Sequence, residues 1–425
     1  MPIILLSGLA GILLLLATPM FVAILAPTVL TFELFGPGIP SMALTQPMMQ
    51  GLNKFTLIAV PLFIFAAAII SNGEIGKRLV NVVESLFGHI TGGVAITVVV
   101  TCAAFGAISG VGQAAIISIG PIVYPALLRQ GYSKNFSIGL IVVSSTLAML
   151  VPPSVAMILY SLQTFSSVGN VFLAGLAAGL IFTFILSIYS YVYARIKNVG
   201  KAEKKSWRER WGSIKAGGWS LGLPMIIFGG IYTGTFTPTE AAAGACAYAI
   251  FVEMLVYRTL TFYGLFKISE KSSIIIASIL ILLAAGSVMS YYLTLEGIPQ
   301  YVAGILQGRS LIEVLLVINV LFLITGMLVD PNSAIIVLTP LILPAAQALN
   351  IDPVHLGAVV VFNIAIGMIT PPFGLNLFMG MITFKVGYSE IIKSVWPFVL
   401  IAIFALAITT YVPALIMWLP QMFGI

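Results

Sequence analysis

The chain has 425 residues, of which 60% are hydrophobic and 8% are charged, and its formal net charge is +6. Soluble globular domains carry about 25% charged residues, so this composition excludes a soluble protein. Long apolar runs favour membrane-spanning α-helices over a membrane β-barrel, which would show short alternating segments. The expected fold class is an all-α integral membrane protein.

Apolar stretches long enough to cross a bilayer, about 20 residues each, recur along the chain. The first stretch has no basic region before it and exceeds the apolar core of a signal peptide, so an uncleaved membrane helix is predicted there. The predicted full crossings are, in chain order, 3–28, 55–72, 135–164, 169–194, 218–237, 239–262, 272–294, 354–384 and 389–417.

Two further apolar stretches, 91–128 and 310–348, are interrupted near their centres. Gly106–Gly112 interrupts the first, and Asp330–Ser333 interrupts the second. Each stretch is either a crossing helix with a break or a re-entrant hairpin that enters and leaves on one side. With the full crossings, these stretches bring the prediction to about 11 membrane segments.

The basic residues favour two hairpins. Segment 195–215 carries eight basic residues and is predicted to lie in the cytoplasm, since positively charged loops remain on that side. Binding of nucleic acid is the weaker interpretation of this charge and is not expected. If 91–128 is a hairpin, the basic segment 129–134 is also cytoplasmic, whereas 347–353, which has no Lys or Arg, is outside. Arg309 is the main exception.

Three segments mix charged or polar residues with apolar ones. Segments 75–90 and 296–309 each precede an interrupted stretch, and 40–54 follows the first crossing. Amphipathic helices lying along the bilayer surface are predicted for them, with ordinary connecting loops as the alternative.

A proline pattern occurs twice along the chain. Proline lacks an N–H donor and disrupts helices, so both copies predict interrupted helices. Matched interrupted segments indicate two repeats of inverted topology with a transport site between them. The predicted halves are 1–217 and 218–425. At a constant offset of 219 positions, Pro121, Pro125, Pro152 and Pro153 recur as Pro340, Pro344, Pro371 and Pro372.

Each Pro-Pro pair is expected to free carbonyl groups one turn earlier, because a proline at position i cannot bond the carbonyl of i−4. Such oxygens are hard ligands that suit small cations such as Na⁺. Hydroxyl, amide and carboxylate oxygens at the two interruptions add to them. The predicted sodium ligands are Ser109, Gly110, Ala148, Met149, Asp330, Asn332, Gly367, Met368 and Thr370.

Each interruption also begins a helix, at 112–114 and 331–333. Helix N-termini offer free N–H groups and partial positive charge, which favour a carboxylate. Neither tip carries Lys or Arg, so an acidic substrate would depend on backbone N–H groups, hydroxyls, amides and sodium itself. The predicted substrate ligands are Gly112, Gln113, Ser154, Ser333 and Asn376.

Some of these residues have competing structural interpretations. An ionised Asp330 near mid-membrane costs about 2.5–3.5 kcal/mol, which favours a functional role. It could instead cap the following helix, with Pro331 at the first helical position. Ser154 and Asn376, just past the breaks, are equally open to substrate contact and to packing.

Six motifs, in order along the chain, resemble the large membrane subunit of TRAP (tripartite ATP-independent periplasmic) transporters, within the ion transporter superfamily. The resemblance covers nearly the whole chain and is overall closest to sialic-acid-type members. The motifs are Ala59–Phe65, Gly106–Gly112, Met149–Ser154, Phe236–Ala242, Met327–Asn332 and Gly367–Gly374.

This resemblance implies an elevator-type transporter of the bacterial inner membrane. A transport domain, mainly 91–164 and 310–384, would slide against a scaffold made mainly of 1–72, 169–262 and 272–294. The partners implied are a small membrane subunit and a periplasmic binding protein that delivers the substrate. The implied activity is sodium symport of an organic acid such as sialic acid or a C4-dicarboxylate, with two or more sites for transported Na⁺ and no organic cofactor.

Three other functions compete with this one. The first is a sodium/dicarboxylate or citrate symporter that works without a soluble receptor. The second is an anion channel, which uphill accumulation would exclude. The third is a membrane-embedded enzyme, which requires paired carboxylates, a Ser–Lys pair or metal-binding histidines. Asp330 has no suitable partner near it in sequence, so no enzyme is expected.

Overall fold

The computed structural model describes residues 2–16, 18–36, 38, 40–200, 207–306 and 308–423. These residues form α-helices joined by short turns and contain no β-strand, which confirms the all-α fold class. Helices of the first half are α1 (Pro2–Leu15), α2 (Met20–Phe35), α3 (Thr45–Leu52), α4 (Ala59–Asn72), α5 (Ile75–Phe87), α6 (Gly93–Ser109), α7 (Gly112–Arg129), α8 (Lys134–Ser144), α9 (Leu147–Leu150), α10 (Val155–Thr164) and α11 (Val168–Lys197).

The second half begins with a helix that contains a π-turn at Met225–Gly229, and a second π-turn covers Val252–Val256. In the described residues, nine helical segments are long and apolar enough to cross a bilayer. Helices of this half are α12 (Trp207–Pro224), α13 (Gly230–Tyr232), α14 (Pro238–Phe251), α15 (Phe262–Leu295), α16 (Ile298–Leu306), α17 (Leu311–Leu328), α18 (Pro331–Ala348), α19 (Pro353–Gly367), α20 (Leu375–Phe384), α21 (Tyr388–Tyr411) and α22 (Ala414–Phe423).

Helices α6 and α7 form the first re-entrant hairpin, hairpin 1. Gly92, just before α6, donates its N–H to the carbonyl of Gly200 over 3.2 Å. Gly200 in turn donates to the carbonyl of Gln130, just after α7, over 3.1 Å. Both ends of the hairpin therefore meet at one place, beside the basic segment that follows α11. Gly110, with a φ of 63°, reverses the chain at the tip, a conformation that glycine adopts without strain.

An amide cluster joins α17 to α19 and α21. The Asn363 side chain donates Nδ2–H to Oδ1 of Asn319 over 2.7 Å. Asn319 donates its own Nδ2–H to the Thr410 hydroxyl over 3.2 Å. Interhelical amide bonds of this kind hold apolar membrane helices together in one arrangement.

Helices α17 and α18 form the second hairpin, hairpin 2. Contacts of Asn319 with Asn363, and of Gly326 with Gly367, show that α17 and α19 run in the same direction and that their C-terminal ends lie side by side. Helix α18 is joined to α19 by the short segment 349–352 and so runs back against it. Helix α17 is therefore antiparallel to α18, and both predicted hairpins are confirmed.

The two repeats have opposite orientation. The hydroxyl of Tyr160, near the end of α10, donates to the carbonyl of Pro353, where α19 begins, over 2.7 Å. At the other end of the molecule, Lys134 at the start of α8 forms a 2.6 Å ion pair with Glu390, in the first turn of α21, which follows α20. The interrupted helices α8–α10 and α19–α20 consequently run in opposite directions, which confirms the inverted topology.

The predicted surface segments are helical. Helix α5 lies within 75–90 and α16 lies within 296–309, each leading into a hairpin. Segment 40–54 contains a 3₁₀ turn followed by α3. The N-terminal end of α5 is held by a buried carboxylate, because Ile75 donates its N–H to Oε1 of Glu253 over 2.8 Å.

Two predicted crossings are each divided by a proline. The stretch 3–28 contains nearly all of α1 and the first half of α2, which are separated at Pro19 and pack side by side. The predicted crossing 389–417 ends at Tyr411, and α22 starts after Pro413. Proline ends or kinks a helix in both places, as it does at the predicted breaks.

Three other crossings were placed inaccurately. The predicted span 218–237 begins at Trp207, 239–262 ends at Val256, and 272–294 begins at Phe262. Much of the basic segment 195–215 is therefore helical rather than loop, and the predicted boundary at 217 falls inside α12. The basic residues Lys201, Lys204 and Lys205 lie outside the described residues.

Helix α11 packs with the interrupted helices. The rings of Phe182 and Phe362 lie 5.1 Å apart, and those of Phe136 and Tyr193 lie 3.8 Å apart. Helices α12 and α14 pack instead against α5 and α4. Contacts thus group α11 with the hairpins. The predicted division into a scaffold that includes 169–262 and a moving transport domain stays a prediction.

Candidate functional site

The first break separates α9 from α10. Among the backbone hydrogen bonds that the structure describes outside the helices, none ends on the carbonyl of Ala148 or Met149. Both residues are buried, as is every residue of the connecting segment 151–154. This agrees with the predicted loss of the two bonds that Pro152 and Pro153 cannot make.

The second break, between α19 and α20, differs from the first. The Gly367 carbonyl accepts from the Thr370 N–H, and the Met368 carbonyl accepts from the Asn376 N–H, each over 3.0 Å. The expectation that these two carbonyls are left free was therefore wrong. Because the chain loops back after the prolines, later N–H groups replace the missing donors. Phe373 in this loop is 56% exposed.

The tip of hairpin 1 touches the first break. A Cβ at Gly106 would lie 2.6 Å from the Ala148 Cα, and one at Gly110 would lie 2.0 Å from the Pro153 carbonyl oxygen. Only glycine permits so close an approach of two backbones. Ser109 and Ser154 are both buried beside this contact, and the Ser154 hydroxyl has no partner among the described residues.

Asp330 caps the tip of hairpin 2. Its Oδ1 accepts the N–H groups of Asn332 over 3.0 Å and Ser333 over 3.1 Å. The Ser333 hydroxyl donates to the other carboxylate oxygen. This confirms the capping interpretation of Asp330, with Pro331 as the first helical residue. A carboxylate has about four acceptor positions, so the cap leaves others available.

A single cavity of about 560 Å³ brings the two tips and the two breaks together. Of the predicted site residues, those that line it are Gly110, Gly112, Gln113, Met149, Asp330, Asn332 and Met368. The others are buried within two positions of a lining residue and do not line it: Ser109, Ala148, Ser154, Ser333, Gly367, Thr370 and Asn376.

Asn376 links the two repeats. It is fully buried, and its Nδ2 donates to the hydroxyl of Ser145, before the first break, over 3.0 Å. Its Oδ1 has no partner in the part of the chain that the structure describes. A Cβ at Gly112 would lie 3.0 Å from both the Asn376 Nδ2 and the Ser145 carbonyl oxygen. The start of α7 therefore lies against groups from both repeats.

Sequence reasoning missed several residues of the site. Ser145 belongs to a polar run, Ser144–Thr146, inside an apolar stretch, which is a signal that could have identified it. Ser71 and Asn72, at the end of α4, and Ser118 on α7 also line the cavity. Contributions from α4 and α15 could not be seen in the sequence, because nothing local indicates which crossing faces a distant hairpin.

The electrostatics of the cavity are simple. Asp330 is the one charged side chain among its described lining residues. Helix α7 begins at the cavity at Gly112 and directs free N–H groups and partial positive charge towards it. Helix α18 also begins there, but its first N–H groups are bonded to Asp330, so the expectation of free donors at this tip was wrong. Oxygen atoms suited to small cations therefore lie beside one helix N-terminus suited to an anion.

Two inverted hairpins and two interrupted helices around one cavity define a membrane transporter rather than an enzyme. The family described as "Tripartite ATP-independent periplasmic transporter, DctM component" matches residues 8–415. The chain therefore belongs to this family, as one component of a three-part transporter, and is a multi-pass membrane protein.

Relatives agree with this assignment, and a solved structure shares the fold. The ectoine TRAP transporter large permease protein TeaC of Halomonas elongata is 38% identical over 413 residues, which is 96% of this chain and 96% of TeaC. The C4-dicarboxylate TRAP transporter large permease protein DctM of Rhodobacter capsulatus is 34% identical over 440 residues, covering 100% of both. The crystal structure of the Alcanivorax borkumensis YdaH transporter shares the fold with a TM-score of 0.62 and 15% identity, over 89% of this chain and 88% of that one.

Proposed function

We propose that this chain carries out sodium-coupled uptake of a small organic acid by an elevator mechanism. The observation that supports the proposal best is the convergence of both hairpin tips and both breaks on one cavity. Relatives are named for ectoine and for C4-dicarboxylates, so a carboxylate substrate is favoured. Sialic acid stays a prediction, because these relatives carry other substrate names.

The transported Na⁺ would bind where oxygen atoms lack other partners. The first break offers the buried Ala148 and Met149 carbonyls and the Ser154 hydroxyl. The buried Ser109 hydroxyl beside them accepts a long 3.5 Å hydrogen bond from the Val111 N–H. At the second tip, Asp330 adds a negative charge at the cavity wall. Desolvated carbonyls and hydroxyls favour a small hard cation over an anion.

The substrate would bind between the tips. N–H groups at the start of α7, with the side-chain amides of Gln113 and Asn332, would receive a carboxylate. No cationic side chain lies among the described lining residues, so the bound sodium would supply the positive charge. Substrate affinity should therefore depend strongly on sodium, and reciprocally so.

The cavity reaches towards the cytoplasm in this state. Its polar lining extends to Asn72, at the exposed end of α4. The helix that follows, α5, lies on the side of the basic segment, because Arg78 donates to the Ala216 carbonyl over 3.0 Å. Basic segments remain cytoplasmic, so the elevator would be at its inward position, with the hairpin bundle moving relative to α4 and α15.

Two protein partners complete the transporter in this proposal. The family is tripartite, and a small membrane subunit and a periplasmic binding protein would be the other two parts. Delivery by a binding protein places the chain in the bacterial inner membrane. The basic segment 195–215 would then face the cytoplasm.

Uptake into proteoliposomes tests the proposal. The chain and its small partner would be reconstituted and supplied with receptor-bound candidate acids, with and without an inward sodium gradient. Uphill accumulation that requires both sodium and the loaded receptor is expected. Accumulation of free acid without the receptor would favour a stand-alone symporter, and equilibration without accumulation would indicate a channel.

A further inference from the structure

Contacts between the hairpin bundle and the surrounding helices are almost entirely apolar. The bundle is defined here as residues 93–197 and 311–411, and the scaffold as residues 45–72 and 207–295. In the described residues, side-chain hydrogen bonds cross between them at two places. One is the Ser118 hydroxyl with the Ser71 carbonyl, at a long 3.4 Å. The other involves Lys54 and is much shorter.

Lys54 lies just before α4 and reaches the end of α10. Its Nζ donates to the carbonyl of Leu162 over 2.6 Å. The Leu162 carbonyl is one of the last four of α10, which have no partner within the helix. An ammonium group is favourable there because the C-terminal end of a helix carries partial negative charge. The same Nζ lies 5.0 Å from the centre of the Phe165 ring, which adds a cation–π attraction.

This lysine has no other described ionic partner. The described ion pairs elsewhere are Lys77–Glu74 and Lys134–Glu390. Partial burial lowers the pKa of Lys54 through desolvation. The charge is therefore compensated only by groups of the bundle, the α10 terminus and Phe165, although the lysine itself belongs to the scaffold.

We infer that Lys54 is a latch that holds the bundle in the proposed inward position. The inference rests on the proposed elevator function. A contact of 2.6 Å cannot survive displacement of α10 along α4, so the bond exists in one state only and biases the equilibrium towards it. The Lys54–Leu162 bond lies at the end of α10 near Pro353, on the side opposite the basic segment. It would therefore hold the side away from the cytoplasm closed while the cavity reaches towards the cytoplasm.

Thiol accessibility tests the latch. In a protein with Cys102→Ala and Cys246→Ala, a single Ile117→Cys reports on the cavity, which Ile117 lines with 51% exposure. An impermeant maleimide would be applied to inside-out and right-side-out vesicles. Lys54→Met should lower the ratio of the cytoplasmic-side labelling rate to the outside labelling rate by roughly tenfold, the shift expected for losing one charge-assisted hydrogen bond. Lys54→Arg should label at the parent rate.

The controls separate the latch from the elevator. Lys267→Met removes a lysine that lies over Tyr263 within the same helix of the scaffold, and should leave labelling unchanged. Phe165→Ala removes an 87% exposed ring and should give a smaller shift in the same direction. Labelling that responds to sodium and loaded receptor, yet is equal in Lys54→Met and Lys54→Arg, would overturn the latch alone. Labelling that never responds would overturn alternating access, and the latch with it.

Discussion

The two Pro-Pro breaks occupy equivalent positions in the repeats but have different surroundings. The first is covered by α11, with Gly175 against the Leu150 carbonyl, and is buried throughout. The second opens to the surface at Pro372 and Phe373, and its carbonyls are bonded to later N–H groups. Equal sequence signals have thus produced one enclosed set of free oxygens and one exposed, internally bonded loop.

This difference separates two roles that a duplicated motif could share. A buried site with unpaired carbonyls can hold a dehydrated cation without rearranging. An exposed loop whose carbonyls are already bonded must change before its oxygens can bind an ion. The first break therefore suits a preformed sodium site, and the second suits a site that forms as the cavity closes.

The largest effect is expected at the glycine contacts beneath the tips. Gly106→Ala places a methyl group 2.6 Å from the Ala148 Cα, whereas Gly326→Ala meets Ile364 at 3.0 Å. Overpacking costs about 1–3 kcal/mol, so sodium-driven uptake should fall roughly 10- to 100-fold in Gly106→Ala and less in Gly326→Ala. Initial rates at equal membrane levels measure this. Gly387→Ala, whose added methyl group would meet nothing within 4 Å, is the control. A larger loss of uptake in Gly326→Ala than in Gly106→Ala would contradict the distinction between the breaks.

Replacing the prolines compares the breaks directly. Pro152→Ala with Pro153→Ala returns two N–H donors to the free carbonyls of Ala148 and Met149, and about a tenfold rise in the sodium concentration for half-maximal uptake is expected. The pair at 371 and 372 should have a smaller effect, because its carbonyls are already bonded. Equal shifts from the two pairs would contradict the proposed difference.

Asp330→Asn separates capping from charge. Asparagine caps helices about as well as aspartate, so α18 should persist while the charge at the cavity is lost. We expect the sodium requirement to rise about tenfold, within the usual range of coupling energies. Asp352→Asn is a matched control, because Asp352 caps α19 outside the cavity lining. If both variants behave alike, Asp330 is a cap and nothing more.

A smaller effect is expected at the link between repeats. Ser145→Ala and Asn376→Ala each remove one partner of the 3.0 Å hydrogen bond. A double-mutant cycle on sodium-dependent substrate binding should give a coupling energy of about 1 kcal/mol. Additive effects would show that the repeats communicate by another route.

Much of the fold could be predicted because proline, glycine and charge act locally. Helix interruptions at Pro152 and Pro371, and the reversal at Gly110, follow from groups those residues lack or conformations they permit. The same reasoning applied to Pro19 and Pro413 would have divided two predicted crossings correctly. Proline therefore marks the helix boundaries at these two positions as well.

Other features could not be predicted from one chain read locally. The Gly367 and Met368 carbonyls are bonded because the loop after the break returns to them, and its path depends on tertiary packing. The placement of α11 beside the hairpins rests on contacts such as that of Phe182 with Phe362, two residues that are 180 positions apart along the chain. An apolar helix offers many faces, and its partners are fixed only by the whole assembly.

The amide cluster on α17 has a consequence for how the cavity closes. Rotation of α17 by one residue, about 100°, would carry Asn319 away from both Asn363 and Thr410. Leaving amide groups without partners in hydrocarbon costs several kcal/mol. The middle of α17 is therefore held in one rotational orientation relative to α19 and α21. Opening or closing of hairpin 2 should therefore bend the chain after Gly326, near the tip that Asp330 caps, while the part of α17 around Asn319 does not move.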